Sequence, residues 1–165
     1  MKKLLCILSV IIMNISCSNA QKTKFSTEAL SENLSATDGS QLAFKDILKK
    51  FKGKTLVIEV WASWCGDCVK NMPKLKELQA NNPDASYLFI SMDKTSEKWL
   101  EGIKKHEIVG THFLAKDGMK GAFGKAVDVD WIPRYIIVDK TGKIVLYRAI
   151  ETDFEKINQT IKSIQ

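Results

Sequence analysis

Proline is scarce in this sequence, with three residues in 165, and glycine is not abundant at nine. Those counts exclude a collagen-like repeat, and 45% hydrophobic beside 27% charged residues argues against intrinsic disorder. Four cysteines are too few to staple a disulfide-dense scaffold of this length. Histidine is rarer still: His106 and His112 are the only two, neither is spaced with the cysteines as metal ligands are, and both read as surface or loop residues. No internal repeat or low-complexity segment is present, and no interleaving of aromatic and basic residues points to nucleic acid. The formal charge of +6 bears on solubility and on weak association with anionic surfaces, not on fold. Clusters such as Lys49, Lys50, Lys52 and Lys54 read as a solvated face. What remains is length enough for one domain with a real core.

The longest apolar run, from Leu4 to Ile15, is interrupted only by Ser9 and Asn14. It would rise only about 18 Å as a helix, too short for a bilayer core of about 30 Å. Lys2 and Lys3 precede it, and small residues follow at Ser16, Cys17, Ser18 and Ala20. This is the layout of a bacterial export signal over residues 1–20. Two processing sites compete. Ser18-Asn19-Ala20 fits ordinary cleavage after Ala20, whereas Ile15-Ser16-Cys17 resembles a lipobox that would leave Cys17 acylated as the new N-terminus and the protein tethered to a membrane. Either way, Cys65 and Cys68 are the only free thiols left in the mature domain. That economy suits a protein outside the cytosol, in the cell envelope or periplasm.

Residues 21–33 are polar and read as an extended lead-in or tether, followed by a domain over 34–165. Thr37-Asp38-Gly39-Ser40 is a turn signal. Phe44, Ile47, Leu48 and Phe51 recur at helical spacing up to Gly53. Thr55 to Trp61 is a nearly continuous apolar run, as a central strand covered on both faces requires. A helix to about Gln79 should follow the cysteines, bent by Pro73. Ser86–Met92 predicts a strand, Thr95–His106 a helix, Thr111–Ala115 a short strand and Gly118–Ala126 a weak helix. Arg134–Val138 and Lys143–Tyr147 flank the turn Asp139-Lys-Thr-Gly142 as a hairpin. Thr152-x-x-Glu155 resembles a capping box opening a last helix with Phe154, Ile157, Ile161 and Ile164 on one face. The alternation predicts an α/β sandwich with mixed strand directions.

The chemistry concentrates in Trp64-Cys65-Gly66-Asp67-Cys68. Cysteines three apart on a helix share a face with Cβ atoms about 5–6 Å apart, close enough to form a disulfide after modest adjustment. At a strand-to-helix junction the first cysteine also faces the unsatisfied N–H groups of the helix, which favour a thiolate. Cys65 therefore reads as the exposed nucleophile and Cys68 as the shielded resolving thiol. A static disulfide or half of a metal site are the plainer readings of the pair. A metal-delivery module and a non-catalytic binding module are the corresponding alternatives to an enzyme. Glu59 is a carboxylate inside an apolar strand; a solvent-facing glutamate paired with a lysine is its plainer reading. Trp61 and Trp64 could both be core residues, and Pro73 an ordinary kink.

Glu59-Val-Trp61-Ala-Ser-Trp64-Cys65-Gly-Asp-Cys68, then Pro73, then Trp131-Ile-Pro133 before a strand, resembles the thioredoxin superfamily. With the export signal, the Thr37-Asp-Gly lead-in and the segment between residues 93 and 117, the chain is most similar to its extracytoplasmic TlpA/ResA-type branch, over roughly residues 35–165. The resemblance implies a three-layer sandwich, a mixed central sheet with helices on both faces. It implies an exported thiol–disulfide oxidoreductase whose only cofactor is the Cys65–Cys68 dithiol, with no metal. Trp64 becomes a partly exposed wall beside Cys65. Glu59 takes the place of a buried acid, usually Asp, six residues before the first cysteine, where burial raises its pKa and lets it exchange a proton with Cys68. Pro133 becomes the cis-proline of a loop facing the cysteines, and Ile132 offers its backbone to an extended client; Trp64, Gly66 and Asp67 complete that binding surface. Arg134, where relatives often carry Thr, either adds an acidic preference or points to solvent. Asp67 replaces the Pro of thioredoxins and the His of strong oxidants, and its charge beside Cys65 leans the reaction toward reduction. Protein disulfide clients and an upstream thiol donor are the partners implied, and the chain reads as a monomer.

Overall fold

The computed structural model describes residues 21–165. The export signal and Cys17 lie outside the described residues. Strand β3 (Leu56–Trp61) has all six side chains buried, which demands cover on both of its faces. It lies parallel to β4 (Ser86–Ser91), and β4 lies parallel to β5 (Thr111–Leu114). On the other side β3 pairs antiparallel with β6 (Arg134–Val138), which turns into β7 (Ile144–Ala149). Two strands that sequence patterning did not anticipate, β1 (Asn33–Ala36) and β2 (Gln41–Ala43), complete a seven-stranded mixed sheet of order β2-β1-β5-β4-β3-β6-β7. Both are short and lack a long apolar alternation; β2 is the sheet edge and pairs only with β1, which in turn pairs with β5, a distant segment. The anticipated turn at 37–40 joins them, with Ser40 N–H and Oγ–H both donating to Asp38 Oδ1 at 2.9 and 2.6 Å.

The helices are α1 (Thr27–Ser31), α2 (Phe44–Lys49), α3 (Gly66–Asn81), α4 (Ser96–His106), α5 (Ala122–Ala126) and α6 (Phe154–Ile164). Helix α3 starts directly on the dithiol and continues through Pro73 to Asn81. Helix α6 packs against α3, β6 and β7 through Ile157 and Ile161, both fully buried.

Three expectations need correction. Residues 21–33 are not an extended tether. Thr23 O accepts from Ile144 N–H at 2.9 Å, Lys22 pairs with Asp128, and α1 forms behind a Ser26 cap with Ala29 buried. The anchor is Phe25, edge-on to Phe44 at 4.9 Å, a contact with a residue 19 positions away that local polarity does not reveal. The Thr152/Glu155 capping box does not form. Asp153 is the N-cap residue, and its carboxylate turns back to accept from Ile150 N–H at 2.9 Å. Helix α5 begins at Ala122 rather than Gly118, because Gly118 sits at φ 65°, outside the helical region.

Candidate active site

The turn from β3 into α3 carries the dithiol. Cys65 N–H closes this turn onto Ala62 O at 3.1 Å, and Cys65 then serves as the N-cap of α3. Its Sγ accepts from Cys68 N–H at 3.1 Å, so one orphan donor of the helix start is aimed at this sulfur. Cys65 and Cys68 are joined as a disulfide with Cα atoms 5.3 Å apart. The one-turn spacing that made a bond feasible is therefore realised. Cys65 is less open than its position suggested, at 6% exposure against 1% for Cys68. The cover comes from a remote loop: Ile132 O lies 3.5 Å from Cys65 Sγ, and the Ile132–Pro133 peptide is cis.

Trp64 stands 58% exposed and is not a core residue, whereas Trp61 is fully buried. Trp64, Cys65, Gly66, Asp67 and Ile132 line one cavity of about 260 Å³, and Met119 and Trp131 close it. A Cβ at Gly66 would meet nothing within 4 Å, so this position borders open space. Pro133 is buried behind the lining. Met119 and Trp131 were not assigned to the site from sequence. Trp131 adjoins the Ile132-Pro133 signal and could have been found there, while Met119 arrives through the turn before α5 and carries no local mark.

Glu59 is 1% exposed in the middle of β3, so the solvent-facing reading fails. Removal from water raises its pKa from 4.5 to about 8, and a hydrogen bond from the Tyr135 hydroxyl opposes that rise. Glu59 Oε2 has no partner. Tyr135 is its register partner on β6.

Arg134 neither points to solvent nor opens onto the cavity. Its guanidinium bonds Asp130 at 2.7 Å and Arg148 O at 3.2 Å, with the side chain only 13% exposed. Asp130 also takes Arg148 at 2.5 Å, and these two arginines hold its pKa at about 2. His112 is not a surface residue either: its ring stacks on Phe89 at 5.1 Å, and its Nε2 lies 2.9 Å from Ile108 O. Lys49, Lys50, Lys52 and Lys54 are exposed as expected. Among the described residues, no three His, Cys, Asp or Glu side chains group as metal ligands.

A Cys-x-x-Cys disulfide capping a helix at a strand end, faced by a cis-prolyl loop on a mixed sheet, defines a thiol–disulfide oxidoreductase of the thioredoxin fold. The Redoxin family profile matches residues 13–161, and the chain belongs to that family. Its relatives include the thiol-disulfide oxidoreductase ResA of Bacillus cereus, 25% identical over 149 residues that cover 89% of this chain and 82% of that protein. A solved thiol-disulfide oxidoreductase of Bacteroides fragilis superposes with TM-score 0.65 at 25% identity, over 78% of this chain and 96% of the other. A secreted Mycobacterium tuberculosis disulfide oxidoreductase, homologous to Escherichia coli DsbE, shares the fold with TM-score 0.65 at 17% identity, over 84% and 99% of the two chains. Proteins of this class work through cysteine redox chemistry and use no further cofactor.

Proposed function

We propose that this protein is exported to the cell envelope and reduces disulfides in client proteins. The observation that carries the assignment of roles is the Cys68 N–H donated to Cys65 Sγ, which places Cys65 at the thiolate-favouring end of α3 while Cys68 lies deeper. In the reduced enzyme the Cys65 thiolate attacks one client sulfur, the client S–S bond breaks, and the departing client thiolate takes a proton. Cys68 passes its proton to the ionised fraction of Glu59 and attacks Cys65 Sγ, which forms the Cys65–Cys68 bond and releases the second client sulfur as a thiolate that takes a proton from solvent. Two electrons have then passed from enzyme to client, and an upstream thiol donor restores the dithiol. Trp64, Gly66, Asp67, Ile132 and Pro133 form the surface that receives the client, in extended form along the Ile132 backbone.

The reducing direction is supported by the burial of Cys65 and by exposed Asp67 in the first turn of α3; both disfavour its thiolate. Export is supported by the signal-like residues 1–20, with Cys17 as the lipidation candidate for a membrane tether, and by the secreted relative. Residues 21–33 then lead into the domain over 34–165. Among the described residues no helix is long and apolar enough to cross a membrane. The working unit is a monomer. The test is a Cys68→Ser trap on cell-envelope extract together with a measured dithiol potential. Mixed disulfides through Cys65 and a potential near the thioredoxin end, about −270 mV, are expected; a value near −120 mV overturns the reducing direction.

A further inference from the structure

Asp93 lies just beyond the end of β4, 0% exposed, and among the described residues no lysine or arginine forms an ion pair with it. A buried carboxylate is retained only where hydrogen bonds replace its hydration. Three donors do so here, and two of them belong to Ser63. The Ser63 backbone N–H reaches Asp93 Oδ2 at 2.9 Å, and the Ser63 hydroxyl reaches Oδ1 at 2.7 Å. The third is Ser91, whose hydroxyl donates to Oδ2 at 2.7 Å while accepting from Asp93 N–H at 2.9 Å. The carboxylate therefore grips one residue by main chain and side chain together, and is itself held by the end of β4.

Ser63 is pressed from a second direction by α4. A Cβ added at Gly102 would fall 2.6 Å from Ser63 Cβ, a distance real Cβ contacts do not reach. Ser63 sits inside the Ala62–Cys65 turn that presents Trp64 and aims Cys65 Sγ at the start of α3. We propose that Asp93 is a positioning residue for the redox centre: through Ser63 it holds this turn so that Cys65 stays capped by α3 when the disulfide opens. The inference rests on Cys65 being the nucleophile.

The test is the pH profile of iodoacetamide labelling of each cysteine in the reduced protein, read by mass spectrometry, for wild type, Ser63→Ala and Asp93→Asn. In D93N an amide N–H₂ replaces an acceptor among donors, and the turn loosens. The Cys65 midpoint is expected to move up by about one unit, the size of a lost helix cap. S63A keeps the backbone grip and the charge, and is expected to move the midpoint upward by less. A purely structural role would lower the melting temperature and leave both profiles in place, while a purely electrostatic one would lower the midpoint in D93N and leave S63A unmoved. An S63A midpoint that is unmoved or lowered overturns the proposal whatever D93N does, including failure to fold. Faster labelling of Cys68 than Cys65 in the wild type instead overturns the assignment of the nucleophile.

Discussion

Glu59 on β3 and Tyr135 on β6 are direct register partners across an antiparallel pair, and the Tyr135 hydroxyl is the polar group set against a carboxyl otherwise removed from water. Tyr135 is 1% exposed, and Glu59 in turn pushes its phenol pKa up further. The pair is thus arranged for a neutral acid donating or accepting hydrogen bonds, not for an ion pair.

Stability should therefore fall with rising pH. Between the ordinary glutamate value of 4.5 and about 8, the unfolded chain ionises Glu59 while the fold keeps its proton. The native state binds the extra proton in that window, so stability drops through it and levels off above. Glu59→Gln should remove the slope and gain on the order of 3 kcal/mol at pH 7. Urea titrations of the oxidised protein at pH 5 and 8 check this; parallel curves for wild type and variant would contradict it.

The same substitution should slow closure of the dithiol. With no ionisable acid to take the Cys68 proton, resolution of a mixed disulfide near neutral pH is expected to fall by about tenfold or more. Stopped-flow release of a chromophoric thiol from a mixed disulfide on Cys65 measures the step. A gain in stability with an unchanged rate would leave Glu59 a purely structural residue.

Trp131 is 56% exposed and closes the cavity beside Cys65, so its truncation should touch binding more than folding. Trp131→Ala is expected to raise KM for a protein client by about fivefold to tenfold, the scale of losing a partly buried aromatic contact. Values of kcat and Tm should hardly move. Insulin turnover with a parallel thermal melt separates the two effects.

Asp130 bridges Arg134 and Arg148 immediately before Trp131. Its pKa is lowered to about 2, so its contribution is present above the unfolded value of 3.8 and is lost as pH falls toward 2. The carboxylate is 64% exposed, and solvent screening keeps Asp130→Asn below about 1 kcal/mol at pH 7. A difference in Tm between wild type and variant that persists undiminished in 1 M salt would show that the pair acts by packing instead.

Local pattern was enough for the dithiol and its carrier. Cys65 and Cys68 are one helical turn apart after a β-branched apolar run, and that local pattern pointed to the strand, the helix after it and the sulfur at its N-terminus. The apolar runs around Ile58, Leu88 and Ile136 likewise announced buried strands, because a fully covered strand must be apolar on both faces. Local sequence could not announce which strand would lie beside which. Tyr135 meets Glu59 only because β6 runs antiparallel to β3 in one register, and a slip of one residue would turn it to the opposite face. The Ile132 carbonyl over Cys65, Met119 in the cavity wall, Phe25 against Phe44 and Asp93 on Ser63 join segments from 19 to 67 residues apart. Such contacts form only after loop-closure entropy has been overcome by burial of the shared core, and no short window of sequence carries that balance.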